Sequence, residues 1–237
     1  MDIKIAIAKI DKHGCSNSGD TVEITERPNG GITVVMADGM MDHHDDKSMS
    51  TMICHRVIDH ISSGMRDGAS IRAAASQIYS EHKGRVQANL WVISADLQTD
   101  TIIISRNNPL PVFLISDDVV DCLSSESEPI GKGLDVSPTI IELPIKPEMT
   151  VVAFSDGVYS AGAHNQQTMD ICTTIGAFVE EQEPTEKEIA EFLLQRAIRL
   201  DNGQPLDAMS IIVLQTSSRP SDNIRRMSIS LPLEASS

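Results

Sequence analysis

Asp38 follows an apolar, β-branched run, Gly31-Ile32-Thr33-Val34-Val35-Met36-Ala37, and is itself followed by Gly39. Such a run reads as a buried strand, and nothing apolar at its mouth can satisfy a carboxylate. The pattern recurs: Asp156-Gly157 ends the run Val151-Val152-Ala153-Phe154-Ser155, Asp207 stands just before Met209-Ser210-Ile211-Ile212-Val213-Leu214, and Asp20 opens another strand-like stretch. No Lys or Arg lies near Asp38 in sequence, so the partner these acids call for is a cation from outside the chain. Mg²⁺ and Mn²⁺ prefer carboxylate, carbonyl and water oxygens, and two such ions held close together can activate a water for attack on phosphorus. Asp38 between two cations is the natural bridge, and the glycine after it lets the Gly39 carbonyl approach as a ligand. Any one Asp-Gly pair also reads as an ordinary turn. Several beside strongly apolar strands read as one site.

The elements that must position these acids are legible in the periodicities. Residues 3–10 read as an opening strand and residues 11–19 as a turn-rich loop. Thr21-Val22-Glu23-Ile24-Thr25-Glu26 alternates at period two and Pro28-Asn29-Gly30 supplies turn chemistry, so this stretch and the run to Ala37 form a hairpin. Direct pairing across that turn sets Asp20 beside Asp38. Met49, Ile53, Val57 and Ile61 recur at helical spacing, as do Ile71, Ala74, Ala75, Ile78 and Tyr79. Strands follow at residues 86–97, 101–105, 112–115, 119–123, 140–143 and 150–154, then a helix over about 169–179 and one that Thr185-Glu186-Lys187-Glu188 opens as a capping box. Two helices, a run of strands and two more helices predict an α+β fold, with a helical pair on each outer face of a mostly antiparallel β-sandwich.

With 237 residues and 41% hydrophobic content, the chain has material for one large domain, placed at residues 1–216. From residue 217 the composition turns to Ser, Pro, Arg and Asn and reads as a flexible tail to residue 237. The net charge of −15 disfavours a phosphate-backbone partner, so nucleic acid binding is not expected. The start lacks a basic, apolar leader, and no apolar run reaches the ~20 residues that span a bilayer, so a cytoplasmic protein without a membrane partner is expected. Cys15, Cys54, Cys122 and Cys172 are scattered without a C-x-x-C pair and read as thiols rather than a disulfide framework or a zinc site.

Ser18-Gly19-Asp20, Ala37-Asp38-Gly39, Phe154-Ser155-Asp156-Gly157 and Asp207-Ala208-Met209-Ser210 stand in the order and spacing of the bacterial metal-dependent serine/threonine phosphatases. That group has the protein phosphatase 2C fold, and the chain resembles most its sporulation and stress-response branch, to which Ser105-Arg106-Asn107-Asn108-Pro109 and Glu128-Pro129-Ile130-Gly131 are also similar. The resemblance implies the four-layer α-β-β-α sandwich and two divalent cations, Mn²⁺ or Mg²⁺. It also implies that Asp38 bridges them, that Asp156 and Asp207 complete the first site, and that Asp20 with the Gly39 carbonyl holds the second. A water bridging the ions would then attack a phosphoserine or phosphothreonine in line, with no covalent enzyme intermediate. The implied partner is a phosphorylated regulatory protein, such as an anti-sigma-factor antagonist or a stress-complex scaffold protein.

The chain departs from the family pattern in three places. Met41 stands where another glycine usually follows the Asp-Gly pair, Met40 where eukaryotic relatives have a histidine proposed as general acid, and Ala208 where a second acid often follows the last metal aspartate. Among Asp42-His43-His44-Asp45-Asp46, His43 or His44 is a candidate accessory acid and the cluster a candidate third metal site, while a solvated loop capping a helix needs only the same polarity. Arg225-Arg226-Met227-Ser228 resembles a basophilic kinase site, which makes Ser228 a candidate regulatory phosphosite. Two other readings stay open: a non-catalytic, phosphatase-like binding module in a signalling complex, favoured by Met41 and Ala208, and a hydrolase of small phosphoesters.

Overall fold

The computed structural model describes residues 1–15, 19–117, 119–218, 222 and 224–230. The chain runs β1 (Asp2–Ile10), β2 (Asp20–Glu26), β3 (Gly31–Met41), β4 (His44–Asp45), α1 (Lys47–Ser62), α2 (Asp67–His82), β5 (Val86–Asp96), β6 (Thr101–Asn107), β7 (Val112–Ser116), β8 (Val119–Leu123), β9 (Thr139–Pro144) and β10 (Thr150–Phe154), then a single-turn α3 (Asp156–Tyr159), α4 (Ile171–Gln182), α5 (Glu186–Leu200) and β11 (Met209–Ser217). One sheet has the order β1-β11-β10-β7-β8 and the other β2-β3-β5-β6-β9, with β4 paired onto the end of β3. The paired strands are antiparallel.

Three apolar layers hold four structural layers together. Val34, Met36, Trp91 and Ile104 of one sheet meet Val112, Leu114, Val151 and Ile212 of the other in the middle of the sandwich. On one outer face Val35, Ala37 and Leu90 bury Ile53, Val57, Ile71 and Ile78 of α1 and α2, and on the other Phe154, Ile211 and Val213 bury Ile175, Ile189 and Leu193 of α4 and α5. Each fully buried Val, Leu, Ile, Phe or Met contributes about 1.5–3 kcal/mol, so the two sheets form a stiff base for whatever projects from their ends. The helical stripes read from sequence lie on the buried faces of α1 and α2, and the expected α-β-β-α sandwich is the fold found.

The local signals act as their chemistry predicts. The Thr185 hydroxyl accepts from Glu188 N while the Glu188 carboxylate accepts from Thr185 N at 2.8 Å, a complete capping box. Asp46 caps α1 by accepting from the backbone N–H groups of Ser48 and Met49. One expectation fails: the strand through Val34 and Val35 does not end at Ala37 but continues to Met41. β5 pairs with it without a break from Gly31↔Asp96 to Met41↔Val86, and β4 closes a hairpin through a two-residue turn whose Asp42 and His43 have φ of 51° and 67°. Asp38 therefore lies inside a strand rather than in a turn. The expected hairpin register is otherwise found, with Asp20 directly across from Asp38.

No helix among the described residues is long and apolar enough to cross a membrane. Of the C-terminal stretch that composition reads as a tail, residues 219–221, 223 and 231–237 lie outside the described residues, as does Ser18 of the first motif.

Candidate active site

Asp38 sits between two neighbours fixed by strand register. Its Cα partner on β2 is Asp20 and its partner on β5 is Asn89, whose Nδ2 donates to Asp38 Oδ2 at 3.0 Å. All three are buried, at 1%, 6% and 8% exposed for Asp20, Asp38 and Asn89. Two carboxylates in one buried cross-strand pair are unfavourable by themselves, because burial and like charge both oppose ionisation.

Asp156 and Asp207 come from the other sheet, just after β10 and just before β11. Ser155 joins them: its N–H donates to Ser210 O at 2.9 Å, its hydroxyl donates to Ala208 O at 3.2 Å, and Ser210 N donates back to that hydroxyl at 3.0 Å. A Cβ on Gly157 would strike the Ala208 carbonyl, so the residue after Asp156 has to be glycine for the two segments to pack. Ala208 is itself buried. Its backbone does the joining, so the link to Asp207 needs no acidic side chain at position 208.

The electrostatics tie the four acids into one cluster. Burial pushes Asp38 up to about 7, with Asp20, Asp207 and Asp45 adding to the rise and the Asn89 amide opposing it. Burial likewise raises Asp156 to about 7, reinforced by Asp38 and Asp207. Burial raises Asp20 to about 6, reinforced by Asp156; the Ser210 and Ser155 hydroxyls face it and pull its pKa back, yet neither completes a hydrogen bond, for Asp20 Oδ2 and Ser210 Oγ are buried without partners. Asp207 is raised in the same way, by burial first. None of the four carboxylates joins a salt bridge among the described residues. The ammonium groups of Lys9 and Lys47 both donate to the backbone carbonyl of Asp20 rather than to its carboxylate.

Gly39 is needed for two reasons. Its N–H donates to Ser50 Oγ at 2.8 Å, and a Cβ there would lie 2.8 Å from both Ser50 N and Ser50 Oγ, so α1 can seat against β3 only on glycine. Its carbonyl accepts from Asp46 N at 2.9 Å, which leaves a second lone pair for a further partner. Beside it, a Cβ added to Gly19 would lie 3.3 Å from Asp38 Oδ1, 3.4 Å from Asp45 Cβ and 3.7 Å from the Gly39 carbonyl oxygen. Gly19 thus borders a space walled by oxygen.

The Asp42–Asp46 segment divides its labour. Asp42 pairs with Arg85 through two hydrogen bonds of 3.0 and 2.6 Å, Asp46 caps α1, and Asp45 is the member that acts on Asp38, Asp156 and Asp207. His43 and His44 are exposed on the β3–β4 hairpin. Ser228 is exposed, and its two preceding arginines are engaged, Arg225 with Glu26 at 2.8 Å and Arg226 with Asp222 at 2.6 Å.

These residues fit hard divalent cations. The donor set is all oxygen, one buried carboxylate oxygen has no partner, and a glycine keeps open the space between Asp38 and the Gly39 carbonyl. Among the described residues no three His, Cys, Asp or Glu side chains close on a single point as a ready-made metal group. Mg²⁺ keeps several waters rather than requiring an all-protein cage. Asn89 joins the site unannounced by any sequence motif, since it arrives through the pairing of β5 with β3, while Gly19 and Asp45 lie in stretches the sequence singled out without showing that they border Asp38.

A family model described as Stage II sporulation protein E (SpoIIE) matches residues 28–217. The stage II sporulation protein E of Priestia megaterium is 22% identical over 215 residues, covering 89% of this chain and 36% of that protein, so the chain spans about a third of that relative's length. Among solved structures, the PP2C phosphatase domain of Bacillus subtilis SpoIIE with a fragment of its regulatory domain aligns with a TM-score of 0.76 at 20% identity, over 91% of this chain and 63% of that one. The B. subtilis phosphatase domain alone aligns at 0.68 and 20% identity over 98% of both chains. The catalytic domain of the serine/threonine phosphatase PstP, in complex with two manganese ions, aligns at 0.70 and 16% identity over 91% of this chain and 99% of that one. At these identities the structural likeness establishes the PP2C fold.

Proposed function

This chain belongs to the stage II sporulation protein E family, and from that premise we propose that it is a metal-dependent protein phosphatase, hydrolysing phosphoserine or phosphothreonine on a regulatory protein in the cytoplasm. The observation that carries the reading is the convergence of Asp20 and Asp38 from one sheet with Asp156 and Asp207 from the other, buried or half-buried and outside any salt bridge among the described residues. A binding module has little physical reason to keep such a cluster of like charges.

Asp38, Asp156 and Asp207 would hold one divalent cation, and Asp38, Asp20 and the Gly39 carbonyl a second. Bound there, Mn²⁺ or Mg²⁺ supplies an activated water and offsets charge on the phosphoryl group. The chain's own contribution is positional. Asn89 orients Asp38, the Ser155–Ala208–Ser210 bonds hold Asp156 and Asp207 at one end of the sandwich, and burial keeps competing water out. The fold is placed at residues 1–216 in this reading, one residue short of the end of β11 at Ser217, with the tail beyond it. The partner is a phosphorylated regulator, of which an anti-sigma-factor antagonist or a stress-complex scaffold is an example.

The test is phosphate release from a phosphoserine peptide and from p-nitrophenyl phosphate, with Mn²⁺ and with EDTA, for the wild type, Asp38→Ala and Asp207→Asn. Mn²⁺-dependent turnover lost in both variants supports the reading. Mn²⁺ binding without turnover would favour the non-catalytic module instead, and turnover restricted to the small ester would favour a small-phosphoester hydrolase.

A further inference from the structure

Asp201 is a buried acid outside the cluster of metal-site carboxylates. Five acidic side chains are buried among the described residues: Asp20, Asp38, Asp67, Asp96 and Asp201. The first two belong to the candidate site, and Asp67 and Asp96 are both paired with Arg27, at 2.6 and 3.2 Å. Asp201, 5% exposed, pairs with no Lys or Arg among the described residues; the exposed His164 lies 3.6 Å from its Oδ1.

A carboxylate buried in this way has to be satisfied by hydrogen bonds. One backbone N–H from each of two loops does so. Gly162 N donates to Asp201 Oδ1 at 2.8 Å, and Leu206 N donates to Asp201 Oδ2 at 3.1 Å. The position also runs against helix electrostatics. Asp201 is the C-cap of α5, where the helix dipole disfavours an anion, so capping gives no reason for a carboxylate there. The reason is tertiary.

Each of the two loops carries an acid of the candidate site. Leu206 immediately precedes Asp207. Gly162 ends the short segment that Asp156 begins: Ser160 N donates to Asp156 O at 2.8 Å, and Ala163 N donates to Ser160 O at 3.0 Å. Gly162 has φ of 76°, and a Cβ there would lie 2.4 Å from the Gln167 carbonyl oxygen and 3.0 Å from Leu200 Cβ, so this turn packs directly on the end of α5. Asp20 and Asp38, by contrast, stand on β2 and β3 of the other sheet.

We propose that Asp201 is a positioning residue for the Asp156–Asp207 half of the metal site. Its two carboxylate oxygens clamp the backbone of Gly162 and Leu206 and thereby set how far apart the two acids stand. The inference rests on the two-cation reading above. Asp201 itself touches neither cation nor substrate and acts through the backbone of its two partners.

The experiment titrates Mn²⁺ by calorimetry into the full chain as wild type, Asp201→Asn and Asp201→Ala, with two reference variants. Asp207→Asn marks the binding event that belongs to the Asp156–Asp207 side, and Asp20→Asn marks the other. Asparagine keeps one acceptor and alanine none. The marked Asp156–Asp207 event is expected to weaken by about tenfold in Asp201→Asn and further in Asp201→Ala, while the other stays within about twofold of the wild type. That second event is the internal control, because an unfolded chain loses both. Wild-type affinity for both events in Asp201→Asn, or equal weakening of both, overturns the positioning role and leaves the two-cation reading standing. An Asp201→Asn chain that no longer melts cooperatively in EDTA overturns it as well, since the carboxylate then holds the fold rather than the site. A wild type that binds fewer than two Mn²⁺, or an Asp207→Asn chain that retains both events, overturns the two-cation reading and the positioning role with it.

Discussion

The Asn89 side-chain amide donates to Asp38 Oδ2 at 3.0 Å across adjacent strands of one sheet, and this hydrogen bond decides which way the central carboxylate points. With Oδ2 held, Oδ1 is directed to the space beside Gly19 and the Gly39 carbonyl. Partners that orient a metal-binding carboxylate commonly contribute 10–100-fold to metal affinity. Asn89→Leu should therefore weaken Mn²⁺ binding by about 10–100-fold in titration calorimetry, and Asn89→Asp by more, since it sets a third carboxylate against Asp38 and Asp20. Equal Mn²⁺ affinity in wild type and Asn89→Leu would show that Asp38 needs no such support.

Gly19 offers a sharper probe of the same space. Its φ lies outside the left-handed region, so alanine is compatible with its backbone, yet the new methyl would press to 3.3 Å from Asp38 Oδ1. Gly19→Ala is expected to keep its thermal midpoint within about 4 °C of the wild type while losing most Mn²⁺ binding and Mn²⁺-dependent turnover. Gly157→Ala should do the reverse in emphasis. Its methyl meets the Ala208 backbone, and such overpacking costs about 1–3 kcal/mol, visible as a lower denaturant midpoint.

The sequence made one part of this site legible because that part is local. Alternation over residues 21–26, a Pro-Asn-Gly turn and an apolar run place Asp20 across from Asp38 with no knowledge of the rest of the molecule, and the observed register agrees. Asn89 enters through a strand that begins 45 residues after β3 ends, and neither its type nor its neighbours Ala88 and Leu90 signal a role. Asp45 was visible only as one of several polar residues; which of them faces the acids depends on the two-residue hairpin turn at Asp42 and His43. The same hairpin explains the misplaced end of β3. An Asp-Gly pair resembles a stop only until β4 and β5 are seen to extend the ladder on both sides.

The raised carboxylates fix the sign of the pH dependence. Asp20 is pushed up to about 6, and Asp38 and Asp156 up to about 7, from an ordinary value of 3.8. Between those limits the folded chain binds more protons than the unfolded chain, so its stability is greatest below about pH 4 on this account and falls as pH rises through 7. Metal binding has the opposite slope, because its ligands must be deprotonated. In EDTA the thermal midpoint should decline from pH 5.5 to pH 8, whereas the increment added by saturating Mn²⁺ should grow over the same interval. An EDTA midpoint that rises over this range would mean that burial and the neighbouring carboxylates do not raise these acids in the folded chain.

Arg106 supplies the last prediction, because two separate segments of the chain hang from it. Its guanidinium is buried, has no carboxylate partner among the described residues, and instead serves four carbonyl oxygens drawn from the β6–β7 turn, the last residue of β8 and the segment after it. Burial lowers its pKa from the ordinary value, yet a guanidinium remains charged at neutral pH, so those four oxygens keep a full positive charge at their centre. Arg106→Met removes every donor at once and strands acceptors that cost roughly 1–3 kcal/mol each where water cannot reach them. The expected loss is therefore about 3 kcal/mol or more in urea unfolding. Arg106→Lys should recover only part of it, since one ammonium cannot reproduce the planar fork that spans both segments. Full recovery by lysine would reduce Arg106 to a source of charge and remove the geometric reason for its place beneath the loop.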